Sequence, residues 1–304
     1  MIMNMKCIYL SLAFLLLCVV EINAQVIQQN NLIGARNAGM GDADISSSYD
    51  ISSMYENPAT TVFMRQSSIF LNHAILRDGM GMVEDLAFPI LPKGPQMVSF
   101  GFQLFHLGYL TNGPGLNGVH MLEYGYDVAF STLITSTFSL GALASLSNGV
   151  TGNSKAWAAS YTVGLDYSPS ADINYAAIYK GKGSDVQFMP NGSSFGAVSI
   201  LQPNKLEIGA SMSYPSASSL RRELFSLSLA NEKIFGVSGL FYKAGIEVIP
   251  FRFLSLRFGY IVGPGVNEPR YGIGLRLEKF RLEYVYYSQT YSDLVQQFSL
   301  VYDF

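Results

Sequence analysis

Hydrophobic and polar residues alternate with a period of two along most of the chain after Ser68. Residues 98–104 alternate Val, Phe, Phe and Leu with Ser, Gly and Gln, and residues 157–167 repeat the pattern. Successive side chains of a β-strand point to opposite faces, so this period is typical of strands with one apolar face. The pattern predicts an all-β protein.

The polar face of these strands is unusual for a sheet that meets water. It is dominated by Gly and Ser and carries few Lys or Glu residues. The apolar face carries aromatic residues near strand ends, namely Tyr167, Tyr179, Tyr214, Tyr260 and Tyr302. In a membrane barrel the apolar face meets lipid, the polar face meets the lumen, and aromatic girdles mark the two interfaces. A transmembrane antiparallel β-barrel is therefore favoured over a soluble β-sandwich.

The alternation predicts about fourteen strands, from residues 68–75 to residues 295–304, with the eighth at 193–201 and the ninth at 205–214. Residues 221–235 are compatible with a strand, a helix or a loop. Because an extra spanning strand would make the number odd, they are assigned to the longest outer loop. Short turns, such as residues 278–279, face the periplasm in these barrels, so both termini are expected there.

The composition agrees with a surface that water does not cover. The chain is 49% hydrophobic and 13% charged with a net charge of -3, whereas a soluble domain has about 25% charged residues. No run of like charges occurs, so no nucleic-acid partner is expected. Lys6, an apolar run at 7–20 and a small-residue site ending at Ala24 predict a cleaved signal peptide over 1–24. Export to the outer membrane of a Gram-negative bacterium follows.

Residues 25–66 do not alternate and are rich in small side chains. This segment is expected to fold as a small plug in the periplasmic end of a barrel formed by residues 67–304. Its glycine run at 34–41 lacks the GK[ST] ending of a phosphate loop. Tight packing of its backbone against the barrel wall is the favoured interpretation.

Two motifs in the plug segment carry a resemblance. They are Gly34-Ala-Arg-Asn-Ala-Gly-Met-Gly and Tyr55-Glu-Asn-Pro-Ala-Thr, and both precede the predicted strands. The closing strands of the barrel carry similar sequences at residues 256–260, 271–277 and 280–286. Together these resemble the PorV/PorQ family within the FadL-type barrel superfamily. The resemblance implies a fourteen-stranded barrel with a plug whose motif residues are Gly34, Gly39, Gly41, Asn57, Pro58 and Ala59. Proline fixes φ and Asn bonds nearby backbone, so the second motif is expected to form a rigid corner.

The PorV/PorQ resemblance implies a non-enzymatic component of a type IX secretion and surface-attachment system. It would bind secreted cargo proteins and other secretion-system subunits. The superfamily implies an alternative, a FadL-like passive transporter with a hydrophobic ligand. Outer-membrane lipid and the barrel-assembly machinery are further expected partners, and the assembly signal is the last strand's apolar face: Phe298, Leu300, Tyr302 and Phe304.

The polar face of the last strands carries a set of charged residues, expected to cluster at the periplasmic end of the lumen: Lys243, Glu247, Arg257, Arg276, Glu278, Arg281 and Glu283. An ion-pair belt that holds the plug through Arg36, Asp42 or Asp44 is favoured, and a selectivity ring is the alternative. His73, His106 and His120 are scattered, so neither catalysis nor a cofactor or metal is expected.

Overall fold

The computed structural model describes residues 34–47, 51–64, 67–76, 81–90, 95–107, 121–151, 154–182, 186–188, 198–200, 203–214, 224–289 and 293–304. The predicted signal peptide, residues 1–24, lies outside these ranges. The predicted plug segment is described over 34–47 and 51–64. None of the helices in the described ranges has the length and hydrophobicity needed to cross a membrane.

The described chain contains sixteen strands. They are β1 (Ser68–Leu76), β2 (Gly81–Ile90), β3 (Gln96–Leu107), β4 (Met121–Leu133), β5 (Phe138–Thr151), β6 (Ser154–Tyr167), β7 (Ile173–Lys182), β8 (Val186–Phe188), β9 (Val198–Ile200), β10 (Lys205–Tyr214), β11 (Phe225–Ile234), β12 (Phe241–Phe251), β13 (Leu254–Gly263), β14 (Val266–Leu277), β15 (Phe280–Gln289) and β16 (Asp293–Asp303). β8 and β9 form a small sheet of their own, and the other fourteen form one closed antiparallel barrel.

The barrel closes between its first and last strands. Phe70 of β1 is opposite Ala87 of β2 on one side and Val301 of β16 on the other. We call the end where β1 begins and β16 ends the near end, and the opposite end the far end. An even number of antiparallel strands brings both termini of the barrel to the near end, as predicted.

The expected total of fourteen strands is confirmed, but two assignments within it are wrong. Residues 198–200 of the predicted eighth strand form β9, which is not part of the barrel. Residues 221–235, assigned to a loop, contain β11, which pairs with β10 and β12. The two errors cancel, because the parity of the strand number restricts the total and not the identity of each strand. The connection from β10 to β11 also falls at the near end, where tight turns were expected.

Side chains alternate between the lumen and the outer surface. In β13, Leu256 and Phe258 are 45% and 44% exposed, whereas Arg257 between them is 6% exposed. Aromatic pairs follow the outer surface at the near end, with ring centroids 4.8–6.5 Å apart: Tyr167 with Tyr175, Tyr214 with Phe225, Phe251 with Phe253, and Phe280 with Tyr302. This apolar surface with an aromatic girdle is that of a barrel in a bilayer.

Residues 34–47 and 51–64 of the N-terminal segment lie in the lumen, and we call them the plug. It contains α1 (Ala35–Gly39), α2 (Ser53–Glu56) and a 3-10 helix (Pro58–Phe63). α1 packs against β13 to β16, and the 3-10 helix packs against β3 to β6. The Ala35 amide donates to Ser299 Oγ at 2.8 Å, and Ser139 Oγ donates to the Ala59 carbonyl at 2.8 Å. The plug therefore contacts opposite sides of the wall.

The wall carries glycine where the plug backbone touches it. A Cβ atom at Gly245 or Gly259 would collide with the main chain of Met40 or Gly41. Gly41 has a φ of 66°, and a Cβ there would lie 2.7 Å from the Tyr260 amide nitrogen. Gly141 meets the plug main chain in the same way, at Ala59, and Gly272 lies close to Gly39. Three other inward glycines make room for plug side chains: Gly101 for Tyr55, Gly164 for Asn57 and Gly209 for Ile45. These glycines make room for the plug, so its backbone packs tightly against the wall, as expected.

Gly259→Ala tests this packing. The new Cβ would overlap the Gly41 main chain, and overpacking costs about 1–3 kcal/mol. We expect the folded, fast-migrating form on an SDS gel to be lost at a lower temperature than in the wild type. Gly125→Ala is the matched control, because a Cβ at this lumenal glycine would meet its nearest atom at 3.5 Å, an ordinary contact. Equal melting of both variants would contradict the proposed role of the glycines.

Candidate functional site

A cavity of about 380 Å³ lies in the lumen between the plug and the far end. Its floor includes Asp42 and Glu56 of the plug. Apolar side chains also line it, and we call them the apolar rim: Ile234, Phe241, Ile261 and Val266. Charged side chains from five wall strands complete it: Lys180, Lys205, Glu207, Glu232, Lys243, Glu268 and Arg270. The charged wall residues are interleaved with the rim, since Lys205 is opposite Ile234 and Lys243 is opposite Ile261.

Lys243 bridges two carboxylates in this cavity. Glu207 and Glu232 are directly opposite each other on β10 and β11, an arrangement that repels two like charges. Lys243 Nζ donates to Glu207 Oε1 and to Glu232 Oε2, at 2.9 Å each. All three side chains are buried. The lysine therefore offsets the repulsion and joins β10, β11 and β12.

Arg270 connects the plug to β14. Its guanidinium donates to Asp42 Oδ2 at 2.7 Å and to Glu268 Oε2 at 3.3 Å. It also lies 4.2 Å from the centre of the Tyr287 ring, in cation–π geometry. Asp42 is the residue after Gly41 and has a φ of 53°. The tight turn of the glycine motif thus places the Asp42 carboxylate beside Arg270 of the wall.

Glu56 is the second plug carboxylate in the cavity. Burial raises the pKa of Glu56 to about 7, and the positive charge of Lys180 opposes this shift. The Asn37 side chain opposes it as well, to a smaller extent. Both protonation states of Glu56 are therefore accessible near neutral pH.

A second ion-pair network lies on the near-end side of the plug. Arg36 pairs with Asp44 within the plug and donates to Glu247 Oε2 at 2.8 Å. Arg257 donates from Nε to Glu247 Oε1 at 2.8 Å and pairs with Glu283. The network runs from β15 through β13 and β12 into α1. This arrangement agrees with the ion-pair belt that was favoured over a selectivity ring.

The predicted lumenal charges do not form one cluster. Glu247, Arg257 and Glu283 belong to the second network, whereas Lys243 lies in the cavity, because β12 starts at the far end. Arg281 pairs with Asp303 at 3.0 Å, close to the near end. Arg276 and Glu278 are exposed at a near-end turn and join neither network, which corrects that part of the prediction.

Six charged cavity residues of the wall, on β7, β10, β11 and β14, were not predicted from the sequence. Lys180, Lys205, Glu207 and Glu232 have the inward parity of their strands. Because residues 221–235 were assigned to a loop, the pairing of Glu207 with Glu232 could not be predicted. The alternation of Ser with Leu at 226–229 was the signal that identifies β11.

The plug motif residues form contacts within the plug and to the wall. Asn57 is fully buried, and its Nδ2 donates to the carbonyls of Ile45 at 3.0 Å and Leu165 at 3.1 Å. Its Oδ1 accepts from the Ala59 amide at 3.1 Å, and Pro58 begins the 3-10 helix. Gly34, which precedes α1, has a φ of 85°. Asn57 thus fixes a corner between two plug segments and β6.

Two further predictions concern the last strand and metal binding. Phe298 and Phe304 of the predicted assembly signal are exposed on the outer surface, while Leu300 and Tyr302 are half-buried there. Within the described ranges, no group of His, Cys, Asp and Glu side chains is arranged to hold a metal ion. A role for the last strand in assembly stays a prediction.

An apolar groove of about 570 Å³ crosses the outer surface over β14 to β16, β1 and β3. Exposed Leu71, Ile273 and Phe298 are among its lining residues. Asn72, Glu283 and Ser299, which face the lumen, also contribute atoms to it. The wall at this place therefore separates the groove from polar lumenal side chains by the thickness of one sheet.

Comparison with known proteins identifies the fold. No protein-family profile and no curated protein matches the chain. The monoaromatic hydrocarbon channel CymD superposes with a TM-score of 0.66 at 12% identity, covering 91% of this chain and 99% of that one. The toluene transporter TodX of P. putida gives 0.65 at 11% identity, covering 89% and 98%. A FadL homologue from Pseudomonas aeruginosa gives 0.61 at 12% identity, covering 92% and 100%. At these identities the likeness shows the fold alone, which is that of FadL-type β-barrels.

Proposed function

We propose that the protein is a passive outer-membrane channel for small compounds that combine an apolar body with a polar group. The lumenal cavity carries this proposal, because its apolar rim and charged floor suit the two parts of such a ligand. The likeness of the fold to a monoaromatic hydrocarbon channel and a toluene transporter supports it. The protein would act by binding and release, without catalysis.

The proposed location is the outer membrane of a Gram-negative bacterium, reached with the predicted signal peptide. The apolar outer surface and the near-end aromatic girdle support contact with lipid. With the near end in the periplasm, the cavity lies on the side of the plug that faces the outside. A compound from outside then meets the cavity first and the plug second.

The role in type IX secretion rests on the resemblance of the two plug motifs to the PorV/PorQ family. Both motifs have packing roles in this fold, since Gly41 touches β13 and Asn57 bonds β6. The structural comparisons favour the transporter alternative over the secretion role. The secretion role stays a prediction, which identification of the proteins that bind this one would test.

The outer groove offers a place where an apolar compound would leave the wall. It opens towards lipid beside Leu71 and Phe298, and Asn72 and Ser299 form its lumenal side. Gln297 Nε2 and Ser299 Oγ both donate to Asn72 Oδ1, at 2.9 and 2.8 Å. These bonds hold β1 to β16, so an exit at this place requires them to open.

Two measurements test the proposed function. Cells that express the protein should take up a labelled neutral aromatic compound with one polar group, such as 4-methylphenol, faster than cells without it. Gentle purification from the native membrane should recover bound lipid or hydrocarbon. Recovery of secreted proteins and envelope subunits, with no difference in uptake, would favour the secretion role instead.

Ile261→Trp should slow uptake several-fold, because the larger side chain would fill part of the cavity rim. Val262→Trp is the matched control, since the neighbouring side chain is 40% exposed on the outer surface. It should leave uptake close to the wild-type rate. Equal rates in both variants would place the route outside the cavity.

Arg36→Met should loosen the plug. The change removes the ion pairs to Asp44 and Glu247. Glu247 keeps Arg257, but the buried carboxylate of Asp44 loses its positive partner, which is destabilising. Liposomes containing this variant should swell faster in small sugars than liposomes with the wild type. Arg252→Met, at an exposed near-end turn, is the control and should not alter swelling.

A further inference from the structure

Two lysines of the cavity face each other across neighbouring strands. Lys180 of β7 and Lys205 of β10 are directly opposite in the antiparallel register, and both side chains line the cavity. Like charges in this arrangement destabilise a sheet. An anionic group between them would relieve the repulsion.

The carboxylates available to these lysines are unequal. A carboxylate oxygen of Glu232 lies 3.9 Å from Lys205 Nζ. Glu232 is also bound by Lys243, which donates to both Glu232 and Glu207 at 2.9 Å. Lys180 interacts electrostatically with Glu207 and Glu232 of the wall and with Glu56 of the plug. Lys243 holds Glu207 and Glu232 by hydrogen bonds, which leaves Glu56 as the carboxylate that can give up Lys180.

We propose that Lys180 and Lys205 form an anion-binding subsite of the cavity, and that Glu56 is its resident counter-ion, which the anionic group of a ligand replaces. This inference rests on the proposed function and names the ligand class of the same cavity. The ligand would carry one carboxylate or sulfonate on a small apolar body. Phe241 and Ile261, on the apolar rim, would contact that body.

The exchange depends on the charge of Glu56. The groups that face it are Asp42 of the plug, Lys180 of β7, Lys205 and Glu207 of β10, Glu232 of β11 and Lys243 of β12. Glu268 and Arg270 of β14 complete the cavity and pair with each other. Because the other carboxylates are held in ion pairs with Lys243 or Arg270, Glu56 is the group that can leave Lys180 to a ligand.

Burial raises the pKa of Glu56 to about 7, so the exchange should depend on pH. Below this pH, Glu56 is mostly neutral and no longer competes for Lys180. Above it, Glu56 is ionised, competes with the ligand and repels it. An anionic ligand should therefore bind more tightly as the pH falls from 8.5 to 6.

Benzenesulfonate is a suitable probe, because it is small, apolar at one end and ionised throughout this pH range. Its binding to the full mature protein in lipid nanodiscs is measured by calorimetry at pH 6, 7 and 8.5. If binding requires neutral Glu56, the apparent Kd should rise about 30-fold from pH 6 to 8.5, the ratio of the competent fractions for a pKa of about 7.

Three variants identify the groups responsible. Glu56→Gln should bind tightly at every pH, and Lys180→Gln should bind weakly at every pH. Glu278→Gln, at an exposed near-end turn, is the matched control and should keep the wild-type pH dependence. The wild-type series needs no variant, so it remains informative if one fails to fold.

The outcomes separate this inference from the proposed function. Binding of benzenesulfonate with no pH dependence, or a pH dependence that survives in Glu56→Gln, would overturn the role of Glu56. Absence of binding at every pH would overturn the subsite. Uptake of neutral 4-methylphenol, measured on the same protein, tests the channel itself and is independent of both results.

Discussion

The close approach of the plug backbone to the wall glycines is the contact on which the rest of the structure depends. A side chain at Gly245 or Gly259 would occupy the space of Met40 and Gly41. Because these contacts join main chain to main chain, they fix the position of the plug against β12 and β13. Asp42 then meets Arg270, Arg36 meets Glu247, and Glu56 reaches the cavity floor. The electrostatic networks follow from this packing.

The few charges of the chain are concentrated where their burial is compensated. Only 13% of residues are charged, yet the lumen contains two ion-pair networks. The Lys243 group consists of wall residues alone, whereas Arg36 and Asp42 supply plug charges to partners on β12 and β14. A buried charge without a partner is costly, so these plug charges favour the seated position of the plug. Packing and electrostatics therefore hold the plug in the same place.

Local patterns in the sequence predict the barrel well, whereas long-range pairing limits what can be predicted of the site. The period of two identifies most strands, and the glycine motif predicts tight packing. Parity does not reveal that β11 replaces residues 193–201 as a wall strand, because both assignments give the same total. The partners Asp42 and Arg270 are 228 residues apart, and no local pattern joins them. The register of β10 with β11 is needed before Glu207 and Glu232 can be placed together.

The cations around the plug are of two kinds, arginines on both of its sides and lysines on its far-end side, and the two kinds differ in how firmly they keep a partner. On the near-end side, Arg36 and Arg257 form forked contacts to carboxylates, and guanidinium groups stay charged at every relevant pH. On the far-end side, Lys180 and Lys205 are point charges on flexible stems beside Glu56. A network of arginines keeps its partners, whereas a lysine can exchange one anion for another. The plug can therefore remain anchored at its near-end side while the cavity on its other side changes partner.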